Sequence, residues 1–135
     1  MNKRKSIVAA VVLAAMMSGL AGAASAAEPN KKVGKVYFKM ICTVCHMTNA
    51  AKAIPPSTYT MKQWEAYLDA DAHDKTGKTN PKVSYYMSQP YRETIKGTNK
   101  AAEKFLKMPD AEVAANLRAF VVGGAKDSDT PASCE

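Results

Sequence analysis

The sequence predicts an all-α domain, and three observations carry that prediction. Apolar residues recur at helical spacing from Val33 and again from Asp110. Caps and breakers (Thr60, Gly97, Pro109, Gly123-Gly124) fall where helices would begin or end. No stretch of any length alternates as a strand does, and no internal repeat is visible. With 135 residues the chain has room for one domain.

Residues 1–26 read as a cleaved signal peptide. Lys3-Arg4-Lys5 forms the positive end, Ile7 to Leu20 the apolar run, and Ala24-Ser25-Ala26 the small-residue cleavage pattern. The run is short for a membrane span and is interrupted by Gly19 and Gly22, so export to the periplasm without stable membrane insertion is expected. The net charge of +7 includes three positive charges in that leader, leaving +4 for the domain, residues 27–135. A mild basic balance favours acidic protein partners or membrane-surface encounters over nucleic acid, for which there is no motif.

Along the domain, Val33, Tyr37 and Ile41 form one stripe of an N-terminal helix, and Gly34, Phe38 and Cys42 the next. A glycine inside a helix costs stability, so Gly34 implies a close neighbour. Met47 to Ser57 reads as loop and ends in Pro55-Pro56. Thr60 caps a helix from Met61 to about Ala70, with Trp64 and Tyr67-Leu68 facing inward. Asp71 to Lys82 is loop, and Met87 falls in a loop between Pro81 and Pro90. Two short helices are expected, Tyr91 to Lys96 and, capped by Thr98, Asn99 to Lys107 with Phe105 and Leu106 as its apolar contacts. Pro109 opens the last helix, Asp110 to about Val122, which buries Val113, Leu117, Phe120 and Val121. A polar tail follows from about residue 125.

The chemistry concentrates in Cys42-Thr43-Val44-Cys45-His46. Two thiols three positions apart can add across the vinyl groups of one haem, and the adjacent imidazole then ligates iron from the proximal side. A thioredoxin-like C-x-x-C would accompany a βαβ pattern, which is missing. A zinc site would need a second ligand pair, yet only Cys134 and His73 remain, each isolated. Cys42, Cys45 and His46 are therefore read as the attachment site of a single covalent haem c. A domain this small gains most of its core from such a group. Cys134 is left over, either to pair between chains or, the favoured reading, to stay an exposed thiol on the tail.

These residues resemble the class I monohaem cytochromes c, and broadly the small periplasmic cytochromes of metal- and electrode-respiring bacteria. Gly34, Phe38 and Cys42 before Cys45-His46 look like that family's N-terminal helix, and Leu117-Arg118-Ala119-Phe120-Val121 like its C-terminal helix. The resemblance implies that the two helices cross, glycine against aromatic, in a class I cytochrome c-like fold around one haem with an enlarged middle region. It also implies that the carbonyl of Pro55 takes the Nδ1–H of His46. Trp64 either donates its indole N–H to a haem propionate, as in some relatives, or is a core aromatic.

The family's sixth iron ligand is methionine. Met87 is the favoured candidate; Met108, set before Pro109 where a hydrophobic staple also belongs, competes with it, as do His73, Met61 and an open site. Of these, Met61 reads as core and His73, in Asp71-Ala72-His73-Asp74, as a solvated surface histidine. The implied function is one-electron transfer in the periplasm, not catalysis. The protein is expected to be a monomer passing electrons between periplasmic or membrane-associated redox proteins that are acidic at the docking face. Lys96, Lys100 and Lys104 offer a basic stripe only if the helix runs through Gly97. The alternative is a haem-based ligand-binding protein or haem enzyme with an open sixth position.

Overall fold

The computed structural model describes residues 27–44, 54–73 and 80–133, and these form helices joined by short turns with no strand among them. The leader, Cys45, His46 and Cys134 lie outside the described residues.

Helix α1, Lys31–Tyr37, starts two residues ahead of the first apolar position because Asn30 caps it. The Asn30 side-chain oxygen accepts from the amides of Lys32 (3.0 Å) and Val33 (3.2 Å). The chain then widens into a π-helical segment, Phe38–Cys42. Extra acceptors freed by the wider turn are taken up locally: Asn99 Nδ2 donates to the Met40 carbonyl at 2.7 Å, and the Thr43 hydroxyl to that of Lys39 at 2.5 Å. This segment buries Phe38 and Ile41 and delivers Cys42, half-buried, at its end.

After a 3₁₀ turn, Pro56–Thr58, helix α2 spans Met61–Asp69. Thr60 and Gln63 form a reciprocal capping box, each side chain accepting from the other's amide. Trp64 is buried, whereas Met61 is 40% exposed and not the core residue expected. It stands in the first turn of the helix.

Asp71 leaves α2 with φ at 47°, a left-handed conformation that an aspartate tolerates better than most residues. Its carboxylate then accepts from both the amide and the hydroxyl of Ser84, each at 2.7 Å. That pair anchors a one-turn helix α3, Val83–Met87, where the prolines on either side had suggested loop. Pro90 does not break the chain. It sits in the first turn of α4, Gln89–Ile95, whose Ser88 cap accepts from the Tyr91 amide. Asn99, one residue later than expected, caps α5, Lys100–Phe105. The chain turns between α4 and α5, so Lys96, Lys100 and Lys104 share no single helix, and Lys96 is ion-paired with Glu93.

Helix α6, Asp110–Gly123, buries Val113, Leu117, Phe120 and Val121 as its stripe requires, with Asp110 and Glu112 at its positive end. Its packing against α1 is the most extensive helix contact among the described residues. Gly34 lies against the Asn116 backbone and the Phe120 side chain at the crossing. The rings of Phe38 and Phe120 meet at 5.5 Å, and Asn116 Oδ1 accepts from the Asn30 amide at 2.6 Å.

Arg92 joins the remaining elements. Its side chain is fully buried, and its guanidinium donates to the carbonyls of Met87 and Met108 and to Asp110. A charge so placed is tolerated because three acceptors take its two terminal nitrogens, while its buried Nε–H has no partner among the described residues. The polar tail also folds back on the domain. Ala125 is buried, the Ser57 amide donates to Ala132 O, and the Lys126 amide to Tyr59 O. Asp127 accepts from the Met61 amide at 2.7 Å, supplementing the cap of α2. No described helix is long and apolar enough to cross a membrane.

Candidate functional site

The packing of the π-segment, α2, α3, α4 and α6 leaves a cavity of about 520 Å³. Phe38, Ile41, Leu68, Val83, Leu117 and Val121 supply its apolar walls. Tyr59, Trp64, Tyr67, Tyr86 and Tyr91 add aromatic faces, and Cys42, Thr43, Ala72 and His73 complete the lining with Ile54. The volume lies inside the roughly 300–1,000 Å³ span of small-molecule and cofactor sites. A mainly apolar and aromatic wall with a few polar groups suits a flat, largely apolar ligand.

Cys42 reaches this wall because helical spacing puts it on the Gly34–Phe38 stripe and the π-segment ends on it. The described chain pauses after Val44 and resumes at Ile54, and Thr43 and Ile54 both line the cavity. Cys45 and His46, the other two residues of the motif, belong to the intervening stretch outside the described residues.

Pro55 is half-buried beside Ile54, and its carbonyl accepts from the Thr58 amide at 2.9 Å in the 3₁₀ turn. A carbonyl oxygen has a second lone pair, so this bond leaves room for a donor such as His46 Nδ1–H. Trp64 lines the cavity but directs its indole N–H to the carbonyl of Pro56 at 2.7 Å. That bond supports the core-aromatic reading: the indole holds the 3₁₀ turn against α2, and Tyr59 and Tyr67 pack on it edge-on at 5.0 and 5.9 Å.

The candidates for a distal iron ligand separate clearly. Met87 is buried at the end of α3 within the apolar core and is not among the cavity-lining residues. Met108 is half-buried, its sulfur 3.8 Å from Asn116 Nδ2, and it too is away from the lining. Met61 is largely exposed. His73 alone of the four lines the cavity. It is half-buried, where its polar neighbours had suggested full solvation. Comparison with protein-family models, with curated proteins and with solved structures returns no match for this chain. The site therefore has to be read from its own chemistry.

Sequence reasoning missed the aromatic wall behind His73. Tyr86 packs on the His73 ring at 4.5 Å, and Tyr91 on Tyr86 at 5.0 Å. Tyr37, one layer further in, donates its hydroxyl to the Tyr86 carbonyl at 2.6 Å and so ties α1 to this wall. The spacing Tyr85-Tyr86-x₄-Tyr91 was a visible signal of an aromatic cluster, but not of what it faces.

Burial pushes the Tyr37 phenol well above its ordinary value of 10.0, with Cys42 adding to the rise and Arg92 opposing it. The unfolded chain then loses this proton before the folded one does. Stability from Tyr37 is thus complete below pH 10 and falls as pH rises above it. Tyr37→Phe is expected to cost about 1 kcal/mol at neutral pH through the lost hydrogen bond. The same variant should show a shallower loss of stability above pH 10 in denaturant titrations; parallel curves for the two proteins would refute the burial argument.

Proposed function

We propose that the protein is a periplasmic one-electron carrier holding a single haem c in this cavity. Cys42 and Cys45 would form the two thioether bonds, and His46 would ligate iron on the proximal side. The observation that supports this reading most is that Cys42, the first thiol of C-x-x-C-H, lines a cofactor-sized apolar cavity. The crossing of α1 and α6 at Gly34 and Phe120 adds support, because it is the arrangement implied by the resemblance to class I cytochromes c.

When bound, the haem supplies a one-electron iron couple. The chain's own part is to hold, shield and tune it. With haem in place, Phe38, Ile41, Leu117 and Val121 would keep water off its face, limiting solvent reorganisation and helping to set the potential. The Pro55 carbonyl would take the Nδ1–H of His46, fixing its tautomer and raising its basicity. Such a carrier binds no substrate. It meets redox partners at the periplasmic face of a membrane or in the periplasm, and a domain with net +4 favours acidic ones.

Mass spectrometry and acidified-acetone extraction of the purified, exported protein test the proposal. The expected result is the mass of residues 27–135 plus one haem, with the colour retained by the precipitated protein. A bare-peptide mass, or colour that passes into the solvent, would overturn it.

A further inference from the structure

His73 is held at the cavity wall by a small frame of its own. Its amide donates to the Pro81 carbonyl at 2.8 Å, which folds residues 73 and 81 back on each other. Its ring packs on Tyr86, inclined at 48°. The Tyr86 hydroxyl in turn accepts from the Asn80 amide at 2.7 Å. Two residues before His73, the paired bonds from Asp71 to Ser84 fasten the end of α2 to the start of α3. The ring is thus fixed from both sides of the loop, and its Nδ1 is shielded from solvent.

The three methionines that compete with His73 are occupied elsewhere in the fold. The Met87 side chain is buried in the core off the cavity lining, the Met108 sulfur lies 3.8 Å from Asn116 Nδ2 and also off the lining, and Met61 is largely exposed. A neutral imidazole is a strong donor to iron, and this one lines the same cavity as Cys42.

We propose that His73 would hold the haem iron together with His46 as a pair of imidazoles, and that Asp71 and Ser84 act as positioning residues for it. The inference rests on the covalent-haem reading above, but it fails separately, since the mass measurement decides attachment whatever the ligand. An imidazole in place of a thioether removes the preference for ferrous iron, so the reduction potential is lower than a His–Met centre would have.

The test uses the intact holoprotein. Ferric wild type should be low-spin and lack the weak far-red band of methionine-ligated iron. In His73→Ala the ferric spectrum should turn high-spin and the ferrous form should bind CO, whereas Met87→Leu and Met108→Leu should both stay low-spin. His73→Met should restore a low-spin spectrum, gain the far-red band and raise the midpoint potential. Asp71→Ala should speed CO binding severalfold while leaving the haem covalently attached. A far-red band in wild type, or a His73→Ala protein that remains low-spin, overturns the ligand assignment. If His73→Ala does not accumulate, the wild-type spectrum decides alone. An unchanged CO rate in Asp71→Ala overturns the positioning role.

Discussion

Gly34→Ala is expected to destabilise the protein by about 3 kcal/mol, the upper end of the usual overpacking cost. A Cβ at position 34 would stand 1.9 Å from the Asn116 carbonyl oxygen, 2.6 Å from its carbon and 3.0 Å from Phe120 Cβ. The first two are backbone atoms inside α6, so no side-chain rotation relieves the clash. The helices must separate instead. Phe38 then moves off the Phe120 ring, and Phe38 and Ile41 shift against Leu117 and Val121, which line the cavity with them. Alanine would otherwise favour the helix by roughly 1 kcal/mol, so the substitution loses stability against its own propensity. For a domain of this size the melting temperature should fall by on the order of 15 °C. Gly97→Ala is the control, because nothing lies within 4 Å of a Cβ there. It should change stability by no more than about 0.5 kcal/mol. Equal thermal stability of the two variants would remove the tight crossing from the account.

Both ends of the domain were legible because periodicity speaks for long amphipathic helices. Gly34, Phe38 and Ile41 on one side, and Val113, Leu117, Phe120 and Val121 on the other, follow their stripes and are buried as those stripes require. The middle was harder to read. Its helices are one or two turns long, too short for a stripe, and their caps come from side chains whose partners lie far along the chain. Pro81 and Pro90 looked like two edges of a loop, yet a proline in a first turn opens a helix, and Ser88 was the cap beside it. Arg92 illustrates the same limit. An arginine on a seven-residue helix reads as solvated, and only the meeting of Met87, Met108 and Asp110 around it gives it a reason to be buried. The tail is polar in composition, but composition says nothing of backbone bonds such as those that the Ser57 amide donates to Ala132 and the Lys126 amide to Tyr59.

The candidate site divides along the same line. Cys42 was identified by motif, and its position on the wall follows from helical spacing. His73 was discounted because Asp71 and Asp74 flank it in sequence, and flanking polarity usually marks a surface. The Asp71 carboxylate is instead spent on Ser84, and those bonds hold it below the usual carboxylate range. Local composition reported the polarity correctly and missed its use as a loop fastener.

Under the proposed haem attachment, replacing Cys42 and Cys45 together by alanine is expected to abolish covalent haem and to remove most of the fold's stability. The cavity of about 520 Å³ is lined by residues of every helix it touches, so its filling bears on the whole core. At about 24 cal/mol per Å³ of unfilled core, a void this large corresponds to on the order of 10 kcal/mol. That is an upper bound, since water can enter, but it is comparable to the whole 5–15 kcal/mol by which a typical domain is stable. A small domain cannot absorb such a loss by collapse, because α1 and α6 are already in backbone contact at Gly34 and cannot close further. The doubly substituted chain should therefore retain part of its helical circular dichroism, lose a sharp thermal transition and bind hydrophobic dyes. Added haem should recover order only in part, since it is then held without the two bonds that fix its position. A colourless variant that unfolds as cooperatively, and at the same temperature, as the native protein would show that the helices make a core by themselves and that the cavity is not where the stability resides.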